Sequence, residues 1–184
     1  ASDFEGGTCG SWGSWGNSST GGVTEGGYNG SKYCMILTNP TDANQWSAQC
    51  AYTFSDAIIN GKTYIIQFWA KSNVDGAPLQ FQVQNSKTYG SQEGYHTFTL
   101  GTSWVKYEYE YTCGKDGVDR ILLNFGKNAA SYYIDNIKFG VKKATSSAKL
   151  YTAMRKASKV TYKFKTAAEK REALLGAMKT WIDG

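Results

Sequence analysis

The chain has 184 residues, with 21 glycines, two prolines and 15% aromatic residues, a composition typical of antiparallel all-β domains with glycine-rich turns. No apolar run approaches the ~18 residues that a transmembrane helix needs, so we expect no membrane span. The net charge of +5 comes from the C-terminal part: residues 1–140 carry 9 basic and 12 acidic side chains, and residues 141–184 carry 11 and 3. The lysines of this tail do not alternate with aromatic residues, which argues against nucleic-acid binding.

Short predicted strands, separated by clusters of Gly, Ser, Asn and Asp, fill residues 1–140. The candidates are residues 32–37, 45–54, 64–72, 79–84, 95–100, 104–112, 120–125 and 132–139. About eight to ten strands at this spacing predict an all-β fold, a jelly-roll β-sandwich of two antiparallel sheets.

The strand at residues 79–84 alternates apolar side chains with Gln80, Gln82 and Gln84, so the three amides share one face. Amides both donate and accept hydrogen bonds, which suits a neutral, hydroxyl-rich ligand such as a sugar chain. The alternative is a polar, water-facing sheet surface. The strand at residues 104–112 favours the sugar interpretation, because its polar face carries the charges expected of a water-facing surface.

The cysteines, Cys9, Cys34, Cys50 and Cys113, are widely scattered, and His96 is the single histidine. Zinc sites usually pair ligands at short spacing, so we expect no thiolate metal site. Disulfides and buried free thiols both remain open, and four cysteines allow three pairings.

The periodicity becomes helical near residue 146, over residues 148–159 and 167–182. The second segment carries an apolar stripe at Leu174, Leu175, Met178, Trp181 and Ile182. Thr166, three residues before Glu169, could form a capping box. The stripe must pack on the sandwich or on a domain outside this chain, and we favour the second. We therefore predict a β-sandwich module at residues 1–140, and a linker with a short helical appendage at residues 141–184.

No catalytic residues are predicted. A glycosidase needs two carboxylates flanking the scissile bond, and no acidic pair is expected on the glutamine face. His96 has no recognisable nucleophile pattern around it. Two alternatives to a binding module remain: an enzyme on the same fold, and a structural domain that braces a catalytic partner.

A series of short motifs follows one another in a specific order along residues 2–140. They are Phe4-Glu5, Trp12, Trp15, Gly30, Trp46-x-x-Gln49, Gly61-Lys62-x-Tyr64, Phe68-Trp69-Ala70-Lys71-Ser72, Gln84-Asn85, Tyr89, Trp104, Asn124-Phe125-Gly126 and Tyr133-Ile134-Asp135-Asn136. This order resembles carbohydrate-binding module families 4 and 22, the jelly-roll sugar-binding modules of bacterial xylanases and glucanases.

The resemblance implies a cleft on one concave sheet face, with aromatic walls and an amide floor. Trp46 and Tyr89 match positions that stack on sugar rings, and Trp15 matches an aromatic residue that flanks the cleft. The other tryptophans, at positions 12, 69 and 104, are expected to be framework. The expected hydrogen-bonding residues are Gln49, Gln80, Gln82, Gln84, Asn85, Arg120 and Asn124. The guanidinium of Arg120 could bind sugar hydroxyls or an acidic decoration such as a glucuronyl group.

The resemblance also implies a structural calcium ion on the side away from the cleft. The matching ligands are Glu5, the backbone carbonyl of Gly30 or Lys32, and Asp135, with Asp3 as a further contributor. Calcium accepts such a mixture of carboxylate and carbonyl oxygens. The ion would tie the start of the module to its last strand.

The tail at residues 166–184 looks like a helix of the family 10 glycoside hydrolase barrel, although a coincidental Glu/Lys/Ala/Leu helix is the alternative. The resemblance implies a module inserted in a bacterial endo-1,4-β-xylanase that is secreted, periplasmic or on the cell surface. We expect a monomeric, non-catalytic module whose partners are a polysaccharide and the catalytic domain of the same polypeptide. Xylan is favoured over β-glucan or cellulose.

Overall fold

The computed structural model describes residues 1–143 and 167–183. The chain divides into two units, Ala1–Lys142 and Lys143–Gly184. The division falls two residues after the end of the predicted module at residue 140.

The first unit contains ten strands in two five-stranded antiparallel sheets. The strands are β1 (Trp12–Trp15), β2 (Thr20–Glu25), β3 (Tyr33–Asn39), β4 (Gln49–Thr53), β5 (Thr63–Ser72), β6 (Ala77–Gln84), β7 (Glu93–Leu100), β8 (Val105–Thr112), β9 (Arg120–Asn124) and β10 (Ala130–Val141). The first sheet has the order β1-β4-β9-β6-β7, and the second has the order β2-β3-β10-β5-β8. The predicted jelly-roll β-sandwich is confirmed.

The core lies between the two sheets and is built from alternate residues of each strand. In β6, Leu79, Phe81 and Val83 are fully buried in it. Each such side chain contributes about 1.5–3 kcal/mol when it is removed from water. Because the apolar half of β6 is committed to this core, its glutamines face the outer side of the first sheet.

The three framework tryptophans have different environments. Trp12 is buried in the core, as predicted. Trp69 and Trp104 are half-buried outside the core cluster. There Tyr28 stacks on Trp69 with ring centroids 3.6 Å apart, and its ring lies edge-on to Trp104.

Two strands, β1 and β2, were not predicted. β2 contains Gly21 and Gly22, which weaken a strand signal because glycine is disfavoured in strands. Gly21 is required by a close approach, because a Cβ atom there would lie 2.2 Å from the hydroxyl oxygen of Ser14 on β1. The predicted strand at residues 45–54 was wrong in its first part, where Gln45–Ser47 form a 3₁₀ turn instead.

In the second unit, the structure describes one helix, α1 (Ala167–Asp183), which confirms the predicted helical segment. Leu174 and Met178 are half-buried, and Trp181 and Ile182 are exposed. The predicted helix at residues 148–159 and the cap residue Thr166 lie outside the described residues. No helix within residues 1–143 and 167–183 is long and apolar enough to cross a membrane.

All four cysteines are free thiols, three of them buried and Cys9 partly buried. Burial raises the pKa of Cys34 to about 11, with the carboxylate of Asp135 adding to the effect. Desolvation also raises the pKa of Cys50. Thiols in such surroundings are held in the protonated, unreactive form.

Candidate functional site: a groove on the first sheet

A groove of about 680 Å³ lies on the outer face of the first sheet. Eleven side chains line it: Trp15, Trp46, Gln49, Gln80, Gln82, Gln84, Tyr89, Gln92, Tyr95, Arg120 and Asn124. All the predicted sugar-contacting residues except Asn85 are among them. They come from all five strands of the sheet and from two of the connections between strands.

Strand register brings the floor residues together. Gln49 of β4 pairs with Asn124 of β9, which pairs in turn with Gln80 of β6. One end of this row continues to Trp15 on the edge strand β1. Four residues earlier on β9, Arg120 pairs with Gln84, which places this second pair ~13 Å from the first row along the strands.

Asn124 is the hub of the amide floor and is fully buried. Its Nδ2 donates to the Oε1 atoms of Gln80 (3.1 Å) and Gln82 (2.9 Å), and its Oδ1 accepts from Nε2 of Gln49 (2.8 Å). These bonds leave the NH₂ groups of Gln80 and Gln82 as donors and the carbonyl of Gln49 as an acceptor. The floor can therefore both donate hydrogen bonds to hydroxyl groups and accept hydrogen bonds from them.

Trp46 projects from the 3₁₀ turn Gln45–Ser47 and is 64% exposed. The turn is fixed because Nε2 of Gln45 donates to the carbonyl of Asn124 (2.5 Å). Gly126 lies against the same segment, where a Cβ atom would come within 2.4 Å of the carbonyl oxygen of Asn44. Close packing of backbone on backbone therefore positions this aromatic ring at the Asn124 end of the groove.

Tyr89 projects from the β6–β7 connection and is also 64% exposed. Its φ of +57° is a left-handed conformation that side chains other than Gly, Asn and Asp rarely adopt. Its N–H donates to the carbonyl of Asn85 (2.9 Å), and the Asn85 N–H donates to the carbonyl of Gly90 (2.8 Å). Since β6 ends at Gln84, Tyr89 stands at the opposite end of the floor strands from Trp46.

At the β1 edge, the guanidinium of Arg120 lies over the ring of Trp15, 5.6 Å from its centroid. Nε of Arg120 donates to Oγ1 of Thr53 (3.1 Å). Trp15 itself is 41% exposed. Aromatic surface and a cation therefore adjoin at this edge.

The family model described as "Carbohydrate binding domain" matches residues 1–131 of the chain. The chain belongs to this carbohydrate-binding family. A search of curated proteins finds no match.

Several solved structures share the fold of this carbohydrate-binding module. The CBM22-1 xylan-binding domain of Paenibacillus barcinonensis Xyn10C is 22% identical, with 78% of this chain and 94% of that chain covered and a TM-score of 0.60. The CBM22-1–GH10 modules of Clostridium thermocellum Xyn10B, complexed with xylohexaose, are 16% identical, with 77% and 28% covered and a TM-score of 0.61. The N-terminal cellulose-binding domain of Cellulomonas fimi β-1,4-glucanase C is 15% identical, with 78% and 97% covered and a TM-score of 0.56.

Asn85, one of the expected sugar-binding residues, is not among the residues that line the groove, and it organises the loop that carries Tyr89. Its Oδ1 accepts from the N–H groups of Lys87 and Thr88 (2.9 Å each), and its Nδ2 donates to the carbonyl of Gly117 (2.6 Å). These bonds occupy both ends of the amide. Asn85 therefore acts on the groove through the position of Tyr89.

Gln92 and Tyr95 line the groove but were not predicted. The hydroxyl of Tyr95 donates to Oε1 of Gln92 (3.0 Å), and Nε2 of Gln92 donates to the carbonyl of Tyr89 (2.9 Å). The β6–β7 register shifts between Phe81 and Val83, so the alternation of side chains along β7 could not be extended from β6.

None of the carboxylates expected to bind calcium, Glu5, Asp135 and Asp3, lines the groove. Glu5 accepts hydrogen bonds from Oγ of Ser31 (2.6 Å) and from the N–H groups of Tyr33 (3.0 Å) and Lys32 (3.1 Å), and these bonds lower its pKa. Asp3 contributes locally, where its Oδ1 accepts from the N–H of Glu5 at 3.3 Å.

Asp135 is fully buried on β10 and accepts hydrogen bonds from the N–H groups of Tyr28 (2.9 Å) and Asn136 (2.7 Å). Burial raises its pKa, and the charge of Glu5 adds to that rise. No lysine or arginine forms an ion pair with either carboxylate in the described part of the chain. The charge of Lys32 helps to lower the pKa of Glu5 without forming an ion pair. Neighbouring carboxylates without an ion-pair partner fit a bound cation.

Any such cation would need backbone oxygens as well. Within the described residues, no three His, Cys, Asp or Glu side chains cluster closely enough to bind a metal. Gly30 ends the 3₁₀ turn Tyr28–Gly30 and is exposed, whereas the carbonyl of Lys32 already accepts from the N–H of Gly26 (2.9 Å). Of the two predicted carbonyl ligands, that of Gly30 accepts no such backbone hydrogen bond from the described residues.

Proposed function

We propose that this module binds single β-1,4-linked polysaccharide chains in the groove without cleaving them, and that its main ligand is xylan. The observation that carries this proposal is a neutral amide floor between two exposed aromatic residues, Trp46 and Tyr89. Aromatic faces complement the C–H faces of pyranose rings, and the amides of Gln80, Gln82 and Gln49 offer donors and acceptors to hydroxyl groups.

The absence of carboxylates in the groove supports binding without catalysis. Hydrolysis of a glycosidic bond needs a pair of carboxyl groups on either side of it. None of the side chains that line the groove in the described part of the chain is acidic. A jelly-roll hydrolase, the alternative, gains no support from this geometry.

Xylan is favoured because one similarly folded structure is a xylan-binding domain and another was solved with xylohexaose. Cellulose or another β-glucan is the second candidate, favoured by the similarly folded cellulose-binding domain. Both backbones present equatorial hydroxyls and flat ring faces to the same kind of groove.

The parent protein is proposed to be a family 10 endo-1,4-β-xylanase that a bacterium secretes or holds in the periplasm or on its surface. The module would tether the enzyme to its polymer and raise the local substrate concentration. The fold similarity to a module joined to a GH10 domain supports this proposal, together with the resemblance of residues 166–184 to a barrel helix.

Affinity electrophoresis in a gel that contains soluble xylan tests the binding proposal. Wild-type protein should be retarded, and Trp46→Ala or Tyr89→Ala should each weaken binding at least about tenfold, equivalent to about 1.4 kcal/mol. Trp181→Ala is the matched control, because it removes an exposed tryptophan of α1 that does not line the groove. Unretarded migration of the wild type would refute the proposal.

A titration panel of xylohexaose, cellohexaose and mixed-linkage gluco-oligosaccharide would then separate xylan from β-glucan. Tighter binding of cellohexaose than of xylohexaose would favour the second candidate. Release of reducing sugar by the isolated chain would instead favour the enzyme.

We also propose a structural calcium ion held by Glu5, Asp135 and backbone carbonyls that include that of Gly30. The ion would supply the positive charge that the two carboxylates lack. Oxygen ligands of this kind suit calcium, which tolerates irregular coordination.

A further inference from the structure

Arg120 is the one charged side chain among the residues that line the groove in the described part of the chain. Every other side chain on the floor and walls is an amide, a phenol or an indole. A neutral polysaccharide would find all the donors and acceptors it needs among these uncharged groups. The positive charge therefore needs a separate explanation.

The guanidinium is held in a defined orientation. Its Nε donates to Thr53, and its Cζ atom lies over Trp15, 5.6 Å from the ring centroid. Its two terminal nitrogens make no hydrogen bond with any residue that the structure describes. The two terminal nitrogens, which can donate two parallel hydrogen bonds to a carboxylate, are thus free.

The nearby carboxylates form hydrogen bonds with residues other than Arg120. The carboxylate of Asp119, the preceding residue, accepts from the N–H (2.6 Å) and the hydroxyl (2.8 Å) of Ser86. Glu93 accepts from the N–H of Gly114 (2.7 Å) and from the hydroxyl of Tyr111. Within residues 1–143 and 167–183, Arg120 forms no ion pair, so its charge is not neutralised by the protein.

Gln84 adds a second free group next to Arg120. The two residues are direct partners on β6 and β9, and both line the groove. The Gln84 side chain makes no hydrogen bond with the described residues, although it is only 5% exposed. An amide without a partner therefore lies on the strand next to Arg120, whereas the guanidinium itself extends to the other side of β9, toward Thr53 and Trp15.

We propose that Arg120 binds the carboxylate of a uronic acid substituent, so that the preferred ligand is an acidic β-linked polysaccharide. The inference rests on the proposed function and specifies which chains the groove prefers. A neutral chain lying over Arg120 would remove water from its charge and return only hydrogen bonds from neutral hydroxyls, which leaves a net cost. A carboxylate in the same place turns that cost into a charge-assisted, bidentate contact.

Three oligosaccharides with the same xylose backbone length test the proposal by isothermal titration calorimetry. One carries a glucuronyl substituent, one carries the same substituent after reduction of its carboxyl group to a primary alcohol, and one is unsubstituted. The glucuronyl ligand should bind about three- to tenfold more tightly than its reduced form. The difference should shrink as salt is raised, since the contact is between opposite charges.

The variants Arg120→Gln and Lys106→Gln identify the residue responsible. Arg120→Gln should abolish the preference for the carboxylate, measured within this variant as the ratio of its affinities for the glucuronyl ligand and for the reduced form. Lys106→Gln removes the same charge from the exposed face of β8 and should leave the preference unchanged.

Equal affinities of wild-type protein for the carboxylate and its reduced form would overturn this inference while leaving the proposed function intact. A preference that survives in Arg120→Gln would also overturn it. Failure of all three ligands to bind would refute the proposed function itself.

Discussion

At the scale of single residues, buried polar atoms determine what the protein can offer to a ligand. Asn124 is fully buried, and its amide fixes which end of Gln80, Gln82 and Gln49 points into the groove. Asn124 is inaccessible to a ligand, yet it determines which donors and acceptors these three glutamines present to the groove. Its removal would free three amides to rotate and leave their polar atoms unpaired.

Tyr132 shows the opposite case, a buried polar atom with no partner. It is fully buried, and its hydroxyl has no hydrogen bond in the described structure. Tyr132→Phe should therefore raise the free energy of unfolding by about 1 kcal/mol at pH 7, because it removes an unsatisfied group without leaving a cavity. Urea unfolding of both proteins measures this change.

The same residue predicts a pH dependence. Burial, with a contribution from Asp42, raises the pKa of Tyr132 from 10.0 to about 12. Because the unfolded chain ionises first, wild-type stability should fall between pH 10 and about pH 12, and Tyr132→Phe should lack this component. Tyr107→Phe is the control for the stability change at pH 7: its hydroxyl donates to the carbonyl of Thr99 (3.1 Å), so its loss should destabilise the fold.

At the scale of elements, the two aromatic walls are carried by connections that are each held by backbone contacts. The turn at Gln45–Ser47 packs against Gly126, and the β6–β7 connection is closed by bonds between Asn85, Tyr89 and Gly90. Side chains that never meet the ligand can therefore control affinity. Such preorganisation reduces the cost of ordering these loops on binding.

Asn85→Ala tests this control. The substitution removes three hydrogen bonds of the loop, so binding of xylohexaose should weaken several-fold while the fold survives. If Asn85 acts through Tyr89, the double variant Asn85→Ala/Tyr89→Ala should bind no more weakly than Tyr89→Ala alone. Additive losses measured by calorimetry would show instead that Asn85 contacts the sugar itself.

Sequence alone predicted most strands, the amide face of β6 and nine of the side chains that line the groove. Alternation predicted the three glutamines, because Gln80, Gln82 and Gln84 must share a face once β6 is a strand. The family resemblance predicted the other six. Tyr95 was missed because a register shift between β6 and β7 interrupts that alternation. The role of Asn85 was missed because a loop's hydrogen bonds leave no periodic trace in the sequence.

At the scale of the whole molecule, the start of the chain is attached to the last strand. Ser2 and Ile137 exchange two backbone hydrogen bonds of 2.8 and 2.9 Å, and Glu5 and Asp135 lie close enough for the charge of one to raise the pKa of the other. This junction joins the two ends of the sandwich. Its electrostatic repulsion should be relieved by a bound cation.

Calcium should therefore stabilise the module against heat. At a concentration 100-fold above its Kd, the ion should add about 2.7 kcal/mol to the free energy of unfolding. Differential scanning calorimetry with calcium or with a chelator measures the shift, and Asp135→Asn should abolish it. The control Asp119→Asn changes a carboxylate that binds Ser86 and should retain the calcium response.

The pairing of Ser2 with Ile137 has a topological consequence. Because the first and last segments of the sandwich are hydrogen-bonded neighbours, its two chain ends lie close together. A few added residues could join its ends, and the chain could be reopened at an exposed connection such as residues 55–57, giving a circular permutant with the same two sheets. The same closeness allows the whole sandwich to interrupt another domain at a single surface loop with little displacement of that loop's ends.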